Sequence, residues 1–281
     1  MDSPEARVKI ASAESERLNE YLSSLSAEAW SKPSACDRWE VRDVVAHLVG
    51  VAQSYTERTH RSLRGDSSPP EGLPAPGSVN AAVFAEGSAQ RVLSRRERLG
   101  NRVLSDFSKA KDQLDQLLAT LGPQDWDKPS YYVSIGIASM RFRPDVWISE
   151  LAIHGWDIRS RLEPEAHLSE ETVPVLMDVV REQLTKWIFS PGPRLPAPIR
   201  YRFELTGVCA NSRDILVEGD KASMEPAGTG KADVTLHCDA ETFILIAFGR
   251  LSTDTAISAD RLTTQGDNRL ALEFQRWFPG A

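Results

Sequence analysis

The chain has 281 residues, 41% hydrophobic and 26% charged, with a formal net charge of −7. That length predicts two domains or one large one, folded around a sizeable core. The acidic balance argues against nucleic acid as a partner, since phosphate binding needs a concentrated cationic surface.

No apolar run approaches the length that crosses a bilayer, and Met1-Asp2-Ser3-Pro4-Glu5 lacks the cationic start and apolar stretch of a signal peptide. The three cysteines, Cys36, Cys209 and Cys238, have no framework spacing. They are read as reduced thiols of a cytoplasmic protein, with Cys36 taken as an inert bystander.

Ser3-Pro4-Glu5 is a helix start, a capping Ser followed by Pro at the first helical position. Leu18, Tyr21, Leu22 and Leu25 then follow the spacing of one helix face. Lys32-Pro33-Ser34 breaks the pattern. A second helix is expected from about Val41 to about Leu63, with Val41, Val44, Val45, Leu48, Val51 and Tyr55 on one side. Residues 65–78, rich in Pro, Gly and Ser, predict a surface loop too long for a simple turn. Helical sequence resumes near Val79 and again from Gln90. Leu104, Phe107, Leu114, Leu117, Leu118 and Leu121 mark a long amphipathic stretch that Gly122-Pro123 stops. A further helix starts near Arg143-Pro144-Asp145, carries Val146, Trp147, Leu151 and Ile158, and is expected to end near Leu162.

The segment from Leu25 through Trp30, Lys32 and Pro33 to Ser34 is echoed by Leu121, Trp126, Lys128, Pro129 and Ser130. Each copy ends one helix and leads to another, which predicts two helical hairpins packed as a four-helix bundle. Beyond residue 166 the pattern changes. Val173 to Phe189 reads as a helix, and the prolines at 191, 193, 196 and 198 form a stiff connector. Period-two alternation marks strands at 199–205, 214–218 and 232–237. Glu241 to Phe248 is an apolar helix, Arg261 to Thr264 a short strand, and Asn268 to Phe278 a closing helix. The expected architecture is an α+β chain of two domains: a helical bundle, residues 1–166, and a small α/β module, residues 167–281.

Glu150 and His154 stand four apart on a predicted helix, one above the other on the same face. His47 is flanked by Val44, Leu48 and Val51 at helical spacing, so it also points inward. A carboxylate and two imidazoles inside a bundle need partners there. A His, Glu, His set around one divalent ion leaves a coordination position open, as catalytic sites do. Each residue also has a plainer reading, as a satisfied core histidine or an ion pair on a wetted face. The combination favours the metal, because the two inward histidines fall on equivalent helices of the repeat. His60, His167 and His237 are read as structural or solvated.

The segment Cys36-Asp-Arg-Trp39-Glu-Val41-Arg-Asp43-Val44-Val-Ala46-His47-Leu48 is similar to a Trp-x-Val-x-Asp-x-x-x-His-Leu signature. Glu150-Leu-Ala-Ile-His154-Gly-Trp156-Asp157 is similar to Glu-x-x-x-His-x-Trp-Asp. Together they resemble the mycothiol-dependent maleylpyruvate isomerase family, whose N-terminal part is a DinB-like four-helix bundle. The stretches 232–242 and 261–267 look like the sterol-carrier-like C-terminal domains of that family. The resemblance implies a zinc-type site at His47, Glu150 and His154, with mycothiol as the thiol cofactor or cosubstrate. It also implies a helper role for Asp157, set against a solvated helix-end carboxylate. An arginine of the C-terminal domain is implied in handling an anionic substrate. Arg261 matches best by context, with Arg200 and Arg202 as rivals.

A divalent ion lowers a thiol's pKa and polarises a substrate oxygen. The expected activity is addition of the thiolate to an electrophilic small molecule, with cis-trans isomerisation as the outcome. A mycothiol S-transferase acting on a secondary metabolite or xenobiotic is the alternative. A non-enzymatic small-molecule or lipid-binding protein is the reading of another class. The ion is expected to be zinc, though iron and nickel suit the same donors. The protein is expected to act as a monomer, without nucleic acid or membrane.

Overall fold

A computed structural model describes residues 3–36, 39–75, 78–163 and 165–281. Met1, Asp2, Asp37 and Arg38 of the first motif, Pro76 and Gly77 of the Pro-rich loop, and Pro164 lie outside them. The chain forms two compact units, Met1–Ser78 with Ala85–Val175, and Val79–Phe84 with Leu176–Ala281.

The first unit is a helical bundle. Helix α1 (Pro4–Ser24) begins as its Ser-Pro start predicts, with the Ser3 hydroxyl accepting from the Ala6 amide. Helix α2 (Val41–Leu63) opens on a capping box between Glu40 and Asp43. Helices α3 (Ala81–Leu99) and α4 (Val103–Ala119) follow, then α5 (Arg143–Arg159). Helices α1, α2, α4 and α5 form the bundle, α1 packing on α4 and α5, and α2 on the same two. Val41, Val44, Val45, Leu48, Val49 and Ala52 of α2 are fully buried. So are Trp147, Ile148, Leu151 and Ile158 of α5.

The structure departs from expectation in two places here. Helix α5 is buried around nearly its whole circumference, a core helix rather than one with a single apolar stripe, and it stops at Arg159, before Leu162. The second WxKPS segment does not lead directly into a helix. It opens an antiparallel hairpin, β1 (Pro129–Tyr132) with β2 (Gly136–Ser139), turned at Gly136 with a φ of 84°. The hairpin places Ser130, Tyr131 and Tyr132, all buried.

In the second unit, α6 (Val173–Gln183) runs into a wider turn, Leu184–Ile188. A five-stranded sheet follows, in the order β5-β4-β3-β6-β7. Strand β3 (Ile199–Thr206) is antiparallel to β4 (Asn211–Val217) and parallel to β6 (Val234–Asp239). Strands β5 (Ala222–Pro226) and β7 (Leu262–Gly266) are the edges. Helices α7 (Ala240–Ala247), α8 (Thr253–Ser258) and α9 (Asn268–Trp277) complete it. Tyr201 and Phe203 of β3 meet Phe243 and Phe274 at ring-centroid distances of 4.6 to 5.2 Å, and Phe274 stacks on Phe278. These rings fill the space between sheet and helices. No helix among the described residues is long and apolar enough to cross a membrane.

Candidate metal centre

The site is built by the two helices that the motifs predict. Helix α2 supplies His47, and α5 supplies Glu150 and, one turn on, His154. One donor atom from each lies within 4.8 Å of the other two. Glu150 Oε2 is the common point, 3.1 Å from His47 Nε2 and 3.4 Å from His154 Nε2. The imidazole rings meet edge to face at 4.7 Å, and the Trp39 ring lies 5.4 Å from His47 and 6.5 Å from His154. Trp39 therefore packs against the cluster. The His47, Glu150 and His154 side chains keep 20%, 27% and 12% exposure, enough for a small molecule to reach them. Two imidazole nitrogens and one carboxylate oxygen converging from two rigid helices fit a divalent ion of the zinc type.

Asp157 is not a solvated helix-end carboxylate. Its side chain is fully buried, and Oδ2 lies 2.9 Å from His154 Nδ1. A carboxylate there fixes the imidazole so that Nδ1–H donates to Asp157 and Nε2 faces Glu150. Cys36, a bystander by sequence alone, has its Sγ 2.9 Å from Asp157 Oδ2 and 3.7 Å from His154 Nδ1. Cys36, His154 and Asp157 form a second close donor group. Hydrogen bonds from Sγ and Nδ1 to the one carboxylate already satisfy it. The signal for Cys36 was its place three residues ahead of Trp39, inside the first motif.

Electrostatics separate the two imidazoles. Burial presses His47 below the ordinary value, against the opposing pull of its Glu150 hydrogen bond. Burial acts the same way on His154, but hydrogen bonds with Asp157, Cys36 and Glu150 outweigh it and hold it well above. Burial alone pushes the Glu150 carboxyl up. The hydrogen bonds and charges of both histidines overcome this and keep it well below the usual carboxylate range, ionised.

Sequence reasoning also missed what lies beyond Glu150 on the same helix faces. Tyr55, two turns after His47 on α2, donates to Glu150 Oε1 at 3.3 Å. Burial first, and then the Glu150 carboxylate, raise its phenol far above its ordinary value, so it stays a donor. Arg58 of α2 and Arg143 of α5 each set a guanidinium 4.9 Å from the Tyr55 ring centroid. Both arginines are buried. Arg143 donates to Ser130 Oγ and the Tyr131 carbonyl, and Arg58 to Ser54. Neither has a carboxylate partner among the described residues. Positions 55 and 58 on α2, and 143 seven residues before Glu150 on α5, lie toward the helix faces that carry the three clustered side chains. From sequence Tyr55 reads as a core residue, and helical spacing alone does not bring the two arginines to it.

Arg261 belongs to the second unit. It donates to Thr242 Oγ1 at 3.1 Å and pairs with Glu241 at 3.5 Å, at the start of α7. Its side chain keeps 29% exposure. The rivals Arg200 and Arg202 both converge on the fully buried Asp214, at 2.8 and 2.7 Å. That is a structural ion-pair network. His237 pairs with Glu204 at 3.1 Å on the sheet surface.

Fold and site define a class: a helical bundle that presents a two-histidine, one-carboxylate donor set, followed by a sheet-and-helix module. Residues 11–159, more than half of the chain, match the mycothiol maleylpyruvate isomerase N-terminal domain, and residues 199–279 match the SCP-2 sterol transfer family. The chain belongs to the mycothiol maleylpyruvate isomerase N-terminal domain family. Among solved structures, the crystal structure of the mycothiol-dependent maleylpyruvate isomerase matches with a TM-score of 0.66 at 14% identity, over 94% of this chain and 96% of that one. A histidine-to-alanine variant of that isomerase matches equally well. At such identity the likeness is one of fold, and it extends over both units. No curated protein matches the chain in sequence.

Proposed function

We propose that this protein is a metal-dependent enzyme that uses mycothiol, adding its thiolate to an electrophilic small acid in the manner of a maleylpyruvate isomerase. The observation that carries the reading is the convergence of His47 Nε2, Glu150 Oε2 and His154 Nε2 within 4.8 Å on the bundle's inner face. A divalent ion held there, zinc by preference, supplies a positive charge that lowers a thiol's pKa and polarises a substrate oxygen.

The chain's own residues prepare that site. Asp157 takes the Nδ1 proton of His154 as a hydrogen bond, which leaves Nε2 to face the cluster. Glu150 stays ionised. The Trp39 ring packs beside both imidazoles. The Arg58 and Arg143 cations, buried behind Tyr55 and in direct ion pairing with no carboxylate among the described residues, favour an anionic substrate over a neutral one. Arg261, partly exposed, is the candidate in the second unit for holding or polarising a substrate carboxylate.

Isomerisation and S-transfer share the addition step, and a mycothiol S-transferase stays the alternative within the enzymes. Lipid carriage is the weaker reading, because aromatic rings occupy the interior of the second unit.

Metal analysis of the purified protein, with mycothiol-dependent turnover of maleylpyruvate and a panel of neutral and acidic electrophiles, tests the proposal. One ion per chain and turnover that needs both the ion and the thiol are expected. Absence of stoichiometric metal, with His47→Ala fully active, sinks it.

A further inference from the structure

The two oxygens of Glu150 face different partners. Oε2 sits between His47 Nε2 and His154 Nε2, whereas Oε1 accepts from the Tyr55 hydroxyl at 3.3 Å. The phenol is in turn gripped by charge: Arg58 and Arg143 each lie 4.9 Å from its ring centroid, and Arg143 also lies 4.3 Å from that of Tyr132. Tyr55 and Arg58 ride on α2 and Arg143 on α5. The clamp therefore spans the same two helices that carry the donor set.

From this geometry we infer that Tyr55 is a positioning residue that makes Glu150 a one-oxygen ligand, with Arg58 and Arg143 bracing its ring. The inference rests on the metal-site reading above. A carboxylate free to rotate can offer both oxygens to an ion and so take a second coordination position. With Oε1 tied to the phenol, only Oε2 faces the cluster. The position thus kept open is the one that an enzyme joining a thiol to an electrophile needs, since both must approach one ion. A tyrosine with a merely structural role would give the hydrogen bond and the same packing, but removing its hydroxyl would leave the ion's coordination unchanged.

The test uses Co2+ as a spectroscopic probe on the full-length, metal-stripped chain, comparing wild type with Tyr55→Phe. Visible absorption reports coordination number, being intense for four-coordinate cobalt and weaker as ligands are added. Competition with a chelator gives the Kd. The expected result is one Co2+ per wild-type chain, a clear fall in absorptivity in Y55F, and a Kd about tenfold higher, as loss of an outer-shell hydrogen bond produces. The melting temperature of the metal-free protein should hardly change. A Y55F spectrum and Kd equal to those of wild type overturn the inference and leave the metal site standing. A wild type that takes up no cobalt removes the metal site itself, and the role of Tyr55 with it. If Y55F does not fold, X-ray absorption on the zinc-loaded wild type decides: a carboxylate bound through one oxygen supports the clamp, and one bound through both refutes it.

Discussion

Replacing Asp157 by alanine is the sharpest perturbation of the proposed metal site that leaves its three donors in place. The carboxylate is fully buried and is the acceptor for His154 Nδ1 and for Cys36 Sγ, both at 2.9 Å. Without it, the His154 N–H faces a buried void, and the ring loses both its fixed tautomer and its orientation. Losing an outer-shell carboxylate of this kind costs 10- to 100-fold in metal affinity, which is about 1.4 to 2.7 kcal/mol of binding free energy. The complete burial of Asp157 puts the expected loss toward the upper end. Asp157→Asn keeps an acceptor while removing the charge, so it should lose about tenfold or less. Zinc affinity, measured by competition with a chromophoric chelator at fixed neutral pH, gives the number directly. Cys36→Ala is the control, since it removes the thiol and leaves the Asp157–His154 bond intact; its affinity should stay near wild type. If Asp157→Ala binds zinc as tightly as the native chain while its metal-free form melts normally, the orienting role is wrong.

The remaining expectations are more direct. His47→Ala, Glu150→Gln and His154→Ala should each abolish stoichiometric metal in elemental analysis, whereas His60→Ala and His237→Ala should retain it. Because His154 is held well above the ordinary imidazole value, zinc must displace its second proton. Zinc Kd should therefore keep falling as pH rises beyond 6.5, with proton release detectable by calorimetry in buffers of different ionisation enthalpy. In the second unit, hydrogen bonds from Arg202 and then Gly228 and Arg200, working against burial, hold the Asp214 carboxyl at about 2. Its folded value is depressed, so its stabilisation is complete above about 4 and is lost as pH falls toward 2, on the order of 2 kcal/mol. Asp214→Asn should remove that part of the acid slope in unfolding measured between those pH values. Arg261→Gln should leave metal content unchanged while lowering kcat/KM for acidic electrophiles; equal kinetics for mutant and wild type would exclude it from the substrate site.

Much of this molecule is readable from its sequence, and the parts that are not share physical causes. The bounds of α2 could be read because several local signals agree: the Lys32-Pro33-Ser34 break before it, a clean apolar stripe along it, and the Pro-, Gly- and Ser-rich stretch from residue 65 after it. The hairpin at 129–139 could not, since its four-residue strands are too short for a period-two pattern to register. Strand β5 was missed because it is an edge strand, largely exposed and ending at Pro226, so it carries little apolar alternation. The convergence of His47, Glu150 and His154 was legible as a spacing on helices. The burial of Asp157 was not, because it depends on a distant turn: Ala35 donates its amide to the Asp157 carbonyl, and Cys36 reaches the carboxylate. Nor does any local pattern say that Arg58 and Arg143, two hydrophilic residues far apart in the chain, meet across one tyrosine.

Those two arginines bear on why a bundle of this kind would drive thiol chemistry. Along the α2 and α5 faces, two buried guanidinium groups stand with two buried or half-buried carboxylates, Glu150 and Asp157. These opposite charges roughly compensate one another, which a folded interior tolerates. A divalent ion at the proposed site, taken up in exchange for the His154 proton, would tip that balance toward positive charge. Further anions are then stabilised there, and the reaction proposed here provides two of them, a thiolate and an electrophilic acid. On this view the cations near Tyr55 are part of what makes the thiol ionise, although they lie beyond the donor atoms. Helix spacing sets that arrangement: Glu150 is placed between the histidines on one side and the arginines on the other, so one carboxylate links the proposed donors to the charge behind them.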